Sequence, residues 1–131
     1  MSGSGERDRR LVLVADDDED ILELVSLQLT RANLEVIQAR DGEEAVSLAE
    51  QHIPDLAVLD VMMPGLNGYE VVKRLRATES TSAIPLILLT ARAGGGDAQH
   101  GYNVGADDYV KKPFSPAELR DRVVALLARP Q

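Results

Sequence analysis

Three aspartates stand at points of the sequence where short apolar segments end. Asp16 and Asp17 directly follow the segment LVLVA, and Asp60 ends the segment LAVLD. If the two segments are neighbouring strands of a parallel sheet, the three carboxylates converge at one edge. At about 4–5 Å and an effective dielectric constant of about 20, each like-charged pair would cost roughly 3–4 kcal/mol. The cluster therefore predicts a bound cation or a bound proton, and its all-oxygen ligands favour a hard ion such as Mg²⁺.

Two further polar residues end strand-like segments and would join the same edge. Thr90 ends the segment PLILLT, and Lys112 ends YVKK, directly before Pro113. A hydroxyl group can hydrogen-bond an anion, and an ammonium group supplies a positive point charge. Together with one Mg²⁺, the lysine would balance the charge of the three carboxylates. This set of groups favours phosphoryl transfer, in which catalysis is mostly positioning and charge neutralisation.

The acidic residues also have a simpler interpretation as helix caps. Aspartate is favoured at a helix N-cap, and acidic residues in the first turn interact well with the helix dipole. This interpretation suits residues 18–20, whereas Asp16 and Asp17 stand one turn too early, at the end of a strand. Asp60 alone could likewise cap the turn that follows it. We therefore expect caps at 18–20 and a functional cluster at the strand ends.

The elements that must position these residues alternate between two kinds of segment. Short continuous apolar runs favour strands buried on both faces, and more mixed runs favour strands near an edge. Between them, apolar residues recur at helical spacing. The predicted buried strands are residues 11–15, 56–59 and 85–89, and the predicted edge strands are 34–39 and 109–112. The helices are marked by Leu22, Val25 and Leu29, by Ala45, Leu48 and Ala49, by Val71, Val72 and Leu75, and by Leu119, Val123, Leu126 and Leu127.

Strands that alternate with helices predict an α/β protein whose open parallel sheet is covered on both faces. With the second and fifth strands at the edges, the strand order becomes 2-1-3-4-5. The predicted fold is therefore a flavodoxin-like (βα)5 three-layer sandwich. Ligands of such sheets bind at the carboxyl ends of the strands, beside the switch point between strands one and three. Asp16 and Asp60 stand at those two strand ends.

Composition excludes several classes of protein. The chain has 131 residues, which suits one domain. Residues 11–70 hold 14 acids and two bases, a net charge of −12, which disfavours direct binding to a nucleic-acid backbone. An aromatic content of 3% leaves few side chains to stack on bases. Without cysteine, a signal peptide or an apolar run long enough to cross a bilayer, we expect a cytoplasmic protein with no membrane partner.

Four segments in this order resemble the receiver domain of two-component response regulators, the CheY-like superfamily. They are LVLVADDDEDI at 11–21, PDLAVLDVMMPGLNGYE at 54–70, PLILLTA at 85–91 and GADDYVKKPF at 105–114. Separate motifs in the right order make the resemblance specific. We expect a receiver domain over residues 11–129. Residues 1–10 lack apolar periodicity, and we expect them to form a disordered N-terminal tail.

The resemblance implies a role for each member of the acidic cluster. Asp60 would accept the phosphoryl group. Asp17 and Asp60 would ligate Mg²⁺ directly, and Asp16 would do so through water. The backbone carbonyl of Met62 would supply a further oxygen ligand.

The resemblance also implies how a switch would work. Thr90 would hydrogen-bond the phosphoryl group, Lys112 would form a salt bridge with it, and Tyr109 would swing inward when Thr90 moves. The Lys112–Pro113 bond would be cis. Tyr109 also has a simpler interpretation as an ordinary half-buried tyrosine of a strand. The face that changes would be made by the fourth helix, the fifth strand and the fifth helix.

The function implied by the resemblance is a phosphorylation-activated signalling switch. The phosphoryl group would come from the phosphohistidine of a sensor histidine kinase or a histidine phosphotransfer protein. The protein would catalyse only its own Mg²⁺-dependent phosphorylation and dephosphorylation, so it would not be a conventional enzyme. Its target would be a downstream protein or an output domain, and it would be a monomer or a weak phosphorylation-dependent dimer. A single-domain regulator and a fragment of a larger protein both fit the sequence.

Other functions compete with this interpretation. A haloacid-dehalogenase-type phosphatase also uses a strand-end aspartate, but it needs a second aspartate two residues later, where this chain has Met62. A pseudo-receiver would act purely as an interaction module, and the intact set of polar strand-end residues argues against it. A nucleotide-binding P-loop would need the motif GxxxxGK[ST], which the sequence lacks.

Two local features carry weaker signals. Residues 94–96 are glycines, and each glycine inside a helix costs roughly 0.8–1 kcal/mol relative to alanine. We therefore expect a short fourth helix that begins near Asp97. Glu118 and Arg122 favour an ordinary i,i+4 ion pair on the last helix. The alternative is that they join Asp108 in the symmetric dimer of one regulator subclass.

Overall fold

The apolar segments form the strands of one parallel sheet. These strands are β1 (Leu11–Ala15), β2 (Glu35–Ala39), β3 (Leu56–Asp60), β4 (Leu86–Thr90) and β5 (Asp108–Lys111). In the computed structural model, which describes residues 9–91 and 105–129, the strand order is β2-β1-β3-β4-β5. All neighbouring pairs are parallel, so the five carboxyl ends meet at the same edge. The predicted order and the predicted edge strands are confirmed.

Small differences in strand bounds matter at this carboxyl edge. β3 and β4 each extend one residue further than predicted, so Asp60 and Thr90 are the last residues of their strands. Pro85 falls outside β4 because proline has no N–H to donate, although its carbonyl accepts a hydrogen bond from Ala57 at 3.0 Å. β5 lies one residue earlier than predicted, which leaves Lys112 as the first residue beyond it.

The helices begin at polar caps. They are α1 (Glu19–Arg31), α2 (Gly42–His52), α3 (Gly68–Ala77) and α4 (Pro116–Ala128). The N-cap side chains of Asp18, Asp41, Asn67 and Ser115 each accept hydrogen bonds from backbone N–H groups of the first turn. Asp18 is therefore the helix cap predicted within residues 18–20.

The helices cover both faces of the sheet. α1 and α4 pack on one face, and α2 and α3 pack on the other. Along β1, Val12 and Val14 face the first pair of helices, while Leu13 and Ala15 face the second pair. The apolar residues predicted for the helices are buried, except Leu48, which is partly buried. The predicted three-layer flavodoxin-like sandwich is confirmed.

Parts of the expected organisation lie outside the described residues. These parts are residues 1–8 of the tail expected over 1–10, and the helix expected to begin near Asp97. The helix α4 is consequently the fifth helix of the predicted order. Within the described ranges, no helix is both long enough and apolar enough to cross a membrane.

Gly68 lets the first turn of α3 lie directly against the end of β3. A Cβ atom at this position would lie 2.6 Å from the carbonyl oxygen of Asp60 and 2.9 Å from Cα of Val61. The N–H of Gly68 donates to the carbonyl oxygen of Val61 at 2.9 Å. Any side chain at position 68 would push α3 away from the strand end that carries Asp60.

Candidate functional site

The carboxyl edge of the sheet gathers three carboxylates. Asp16 and Asp17 follow β1, and Asp60 ends β3, the strand beside it. One oxygen atom of each carboxylate lies within 4.8 Å of the other two. Asp16 and Asp60 are 0% and 2% exposed, whereas Asp17 is exposed. The structure therefore brings together the acids that the sequence assigned to one edge.

Asp16 is fixed by backbone contacts at the end of β1 and does not cap α1. Its N–H donates to the carbonyl oxygen of Ala39, at the end of β2, at 3.1 Å. Its Oδ1 accepts a hydrogen bond from the N–H of Asp18 at 3.0 Å. Because Oδ1 is engaged by this backbone N–H, Oδ2 is the oxygen of Asp16 that contacts the Lys112 ammonium group.

The Lys112 ammonium group lies between the two buried carboxylates. Its Nζ is 3.1 Å from Oδ2 of Asp16 and 3.2 Å from Oδ1 of Asp60. The N–H of Lys112 donates to the carbonyl oxygen of Thr90 at 2.6 Å, and the Lys112–Pro113 bond is cis. Burial alone would lower the pKa of Lys112, but attraction to Asp60 and Asp16 outweighs it and raises that pKa. The ammonium group therefore stays charged at neutral pH.

The surroundings of the Asp60 carboxylate disfavour its charged form. Burial raises the pKa of Asp60 most, repulsion from Asp16 raises it further, and the pKa reaches about 6. Lys112 and the backbone N–H of Met62 act in the opposite direction because they stabilise the charged form. At neutral pH the group is ionised at a cost that a further cation would relieve.

The donor set of the cluster fits a hard divalent cation. Its three members offer carboxylate oxygens and include no histidine or cysteine. Lys112 balances one of the three negative charges, so a divalent ion would balance the other two. Mg²⁺ binds few carboxylates and keeps several waters, and the exposed Asp17 leaves the cluster open to solvent on one side.

The remaining predicted residues surround this cluster. Thr90 is buried at the end of β4, one residue beyond the strand partner of Asp60. Tyr109 is half-buried and is the second residue of β5. Met62 exposes 63% of its surface, and its backbone N–H is hydrogen-bonded to Asp60. Thr90 and Tyr109 therefore belong to the strand pair that carries Lys112 at its carboxyl end.

The ion pair expected between Glu118 and Arg122 is corrected by the structure. Nη1 of Arg122 donates instead to Oδ1 of Asp108 at 2.9 Å. The partner is a carboxylate of β5, 14 residues away, in place of a residue one turn away on α4. The ion pair fastens α4 to the edge strand, a tertiary contact that helical spacing alone does not indicate.

An apolar cleft beside Lys112 is a feature that the sequence reasoning missed. Leu24 exposes 54% of its surface there, although it belongs to α1. The sequence signal that could have indicated the cleft is Leu24 itself, an apolar residue that lies outside the buried stripe of α1. The cleft has a volume of about 500 Å³, and its apolar lining is Ile21, Leu24, Val25, Ala91, Pro113, Phe114 and Pro116.

The fold and the site agree with a comparison against protein families. The family model described as the response regulator receiver domain matches residues 12–124. The chain therefore belongs to the response regulator receiver family of two-component signalling, whose members are signalling switches.

Individual proteins similar to this chain support the same conclusion. The alkaline phosphatase synthesis transcriptional regulatory protein PhoP of Bacillus subtilis (strain 168) is 48% identical over 118 residues, which are 90% of this chain and 48% of that protein. The receiver domain of Francisella response regulator 1452 is 36% identical with a TM-score of 0.87, over 94% of this chain and 100% of that one. Chemotaxis protein CheY4 of Vibrio cholerae is 34% identical with a TM-score of 0.84, over 89% and 98% of the two chains. The chain spans about half the length of the curated relatives it matches.

Replacing Asp60 by asparagine should change how stability depends on pH in the metal-free protein. The pKa of Asp60 is raised to about 6 by folding, so the folded state binds more protons than the unfolded state between about pH 4 and 6. The parent should therefore lose up to roughly 3 kcal/mol of stability as the pH rises through this window. Asp60→Asn should remove that loss and be the more stable protein at neutral pH.

Urea unfolding in the presence of EDTA, at a series of pH values, measures this difference. The exposed Glu79, in the turn after α3, provides the matched control, since Glu79→Gln leaves Asp60 in place and should keep the loss of stability across this window. A stability difference between the parent and Asp60→Asn that is the same on both sides of the window would contradict the expectation.

Proposed function

We propose that this chain is a phosphorylation-activated switch, with a receiver domain over residues 11–129, whose phosphoryl acceptor is Asp60. The observation that carries the proposal is the environment of that carboxylate. It is buried, it shares the Lys112 ammonium group with the buried Asp16, and it lies near the exposed Asp17. A carboxylate whose charge is costly, next to a set of cation ligands, is typical of a reactive group. The donor is the phosphohistidine of a sensor histidine kinase or a histidine phosphotransfer protein, or a small phosphodonor.

In the transfer step, a carboxylate oxygen of Asp60 attacks the phosphorus atom of the donor. The O–P bond forms as the N–P bond of phosphohistidine breaks, and the imidazole leaves with the electron pair of that bond and takes a proton from solvent. Asp17, Asp60 and the carbonyl oxygen of Met62 would hold Mg²⁺ directly, and Asp16 would hold it through water. When bound, Mg²⁺ supplies positive charge to the phosphoryl oxygens.

The product changes the charge balance around Lys112. A phosphoryl group adds about −1.5 to −2 charges and three strong acceptor oxygens. Lys112 already lies within 3.2 Å of Asp60, so it can pair with the new oxygens after a small movement. The hydroxyl group of Thr90, at the end of β4, donates a hydrogen bond to another phosphoryl oxygen. Tyr109 then turns into the space that Thr90 releases.

The change is communicated on the face made by β5, α4 and the helix expected between β4 and β5. The ion pair between Arg122 and Asp108 supports this step because it joins α4 to β5. The target is a downstream protein or an output domain, and the protein works in the cytoplasm as a monomer or as a weak phosphorylation-dependent dimer. An output domain is supported by the relative from Bacillus subtilis, which is named a transcriptional regulatory protein and is about twice as long as the matched region.

Hydrolysis ends the signal. Water attacks the phosphorus atom, the O–P bond breaks, and inorganic phosphate leaves as the Asp60 carboxylate is restored. The chain thus catalyses only its own phosphorylation and dephosphorylation. A phosphatase of the haloacid-dehalogenase type is disfavoured because the thioether of Met62, two residues beyond Asp60, cannot donate a proton to a leaving group.

The apolar cleft beside Lys112 suits the protein that delivers the phosphohistidine. A donor protein must place its imidazole at Asp60 and cover part of the surrounding surface. The exposed Leu24 and the half-buried Phe114 offer apolar contacts there, and the exposed Asp20 stands one helical turn before Leu24 on α1. A partner surface with apolar and basic residues would complement this arrangement.

Incubation of the parent with Mg²⁺ and acetyl phosphate should add one phosphoryl group, visible in the intact mass. EDTA should abolish the gain because the charge of three carboxylates then repels the donor. Asp60→Asn should gain no mass because an amide is not a nucleophile here, while Asp55→Asn, changed at a carboxylate near the opposite edge of the sheet, should gain as the parent does. An equal mass gain in Asp60→Asn, or none in the parent, would overturn the proposed acceptor.

Leu24→Asp should slow phosphorylation by a protein donor and leave phosphorylation by a small donor unchanged. Transfer from a phosphorylated histidine kinase that is active on the parent should slow by about tenfold or more, because a charge would enter an apolar contact. Phosphorylation by acetyl phosphate should keep the parental rate. Val124, an exposed residue of α4, provides the matched control Val124→Asp. The rate of transfer is measured on a phosphoprotein gel. Equal rates for Leu24→Asp and the parent would show that the cleft is not part of the docking surface.

A further inference from the structure

Arg76 joins three segments of the chain at the amino ends of the strands, opposite the acidic cluster at their carboxyl ends. It stands near the end of α3, and its Nε donates to the carbonyl oxygen of Gly105 at 3.0 Å. Nη1 donates to the carbonyl oxygens of Ser82 and Ile84 at 2.9 and 2.7 Å. Nη2 donates to Oδ2 of Asp107 at 3.0 Å. One side chain therefore connects α3, the loop before β4 and the residues that lead into β5.

Asp107 closes the amino end of the β4–β5 pair. Its N–H donates to the carbonyl oxygen of Leu86 at 2.8 Å, and its Oδ2 accepts a hydrogen bond from the N–H of Leu86 at 2.8 Å. The same oxygen accepts the hydrogen bond from Arg76. The first residue of β4 is thus fastened to the approach of β5 and, through the guanidinium group, to α3.

Gly105 permits the close approach on which these bonds depend. Its φ of +104° lies in a region that other residues rarely adopt, and a Cβ atom there would lie 3.3 Å from Cγ of Arg76. The side chain of Arg76 is only 23% exposed, so its charge-assisted bonds are better shielded from water than those of a surface ion pair. We name Arg76, Gly105 and Asp107, with their bonded carbonyl groups, the Arg76 clamp.

The two strands held by the Arg76 clamp are the strands that the phosphoryl group would act on. Thr90 ends β4 and Lys112 follows β5, both at the carboxyl edge, while the clamp lies at the amino edge of the same pair. Contacts that hold the amino end of the pair would keep a rearrangement at the carboxyl end from spreading along both strands. None of the clamp residues takes part in the proposed transfer chemistry.

We propose that the Arg76 clamp is the fixed pivot of the switch. It keeps the amino ends of β4 and β5 together, so the rearrangement that follows phosphorylation stays confined to Thr90, Tyr109 and their surroundings. The inference rests on the proposed function and adds a positioning residue to it. Lysine cannot take the place of Arg76, because a single ammonium group cannot reach four acceptors that the planar guanidinium fork bonds at once.

Arg76→Met, which keeps the aliphatic stem and removes the guanidinium group, tests the pivot. Arg74→Met is the matched control, since Arg74 is exposed on the same helix. Amide signals of parent and variants are compared by NMR before and after addition of Mg²⁺ and beryllofluoride, a phosphoryl mimic. In the parent and in Arg74→Met, the signals of Thr90 and Tyr109 should shift, while those of Leu86 and Asp107 stay nearly in place.

In Arg76→Met the boundary between moving and fixed residues should disappear. Exchange of the Leu86 and Asp107 amides should accelerate by about tenfold or more, and beryllofluoride should now shift these signals together with that of Tyr109. The initial rate of phosphorylation by acetyl phosphate should stay within about twofold of the parental rate, because the acidic cluster lies at the other edge. Arg76→Lys keeps the charge and should give the same pattern, which preserves the test if Arg76→Met does not fold.

Two results would overturn the pivot while leaving the proposed function intact. One is a parent in which Leu86 and Asp107 shift as far as Tyr109. The other is an Arg76 variant with faster exchange at these amides but the parental boundary of the response, which would make the clamp a purely structural contact. A parent that gives no beryllofluoride response at all would overturn the proposed function itself, and the role of the pivot with it.

Discussion

Repulsion between buried carboxylates is the constraint on which the rest of the structure depends. Asp16 and Asp60 lie side by side at the sheet edge with almost no exposure to solvent, and the Lys112 ammonium group stands between them. Burial and repulsion together raise the pKa of Asp60, so the site holds unfavourable charge that a cation or a change of partners can relieve. A site of this kind responds strongly to any group that alters its charge.

The fold separates a rigid part of the site from a part that can move. β1 and β3 are central and buried along their whole length, so the acids at their ends are held by packing on both faces of the sheet. Gly68 brings the start of α3 against the end of β3 and fixes the loop beyond Asp60. Lys112 instead follows the edge strand β5, which has a strand neighbour on one side and is tied to β4 through Thr90. The Lys112 ammonium group can therefore shift while the carboxylates stay in place.

Much of this arrangement could be predicted from the sequence because it follows from local patterns. Buried and mixed apolar runs predicted the strand order. The position of Asp18 distinguished it, as a helix cap, from Asp16, and the acids at strand ends indicated a cluster. What could not be predicted depends on side chains that reach across the fold. Helical spacing favoured Glu118 as the partner of Arg122, whereas the chain packing supplies Asp108. No periodicity marks the arginine that joins three segments at the amino edge, since its acceptors are mostly backbone carbonyls.

The link between Asp60 and the Tyr109 face through Lys112 is tested most directly with Lys112→Ala and its neighbour Lys111→Ala, an exposed control. The measurement is the NMR response of the Thr90 and Tyr109 amides to beryllofluoride in the presence of Mg²⁺. Lys112→Ala should bind Mg²⁺ at least as tightly as the parent, because one positive charge is gone from the cluster, but its Tyr109 signal should stay at the unactivated position. Lys111→Ala should respond as the parent does. A full Tyr109 response in Lys112→Ala would show that the ammonium group does not carry the change.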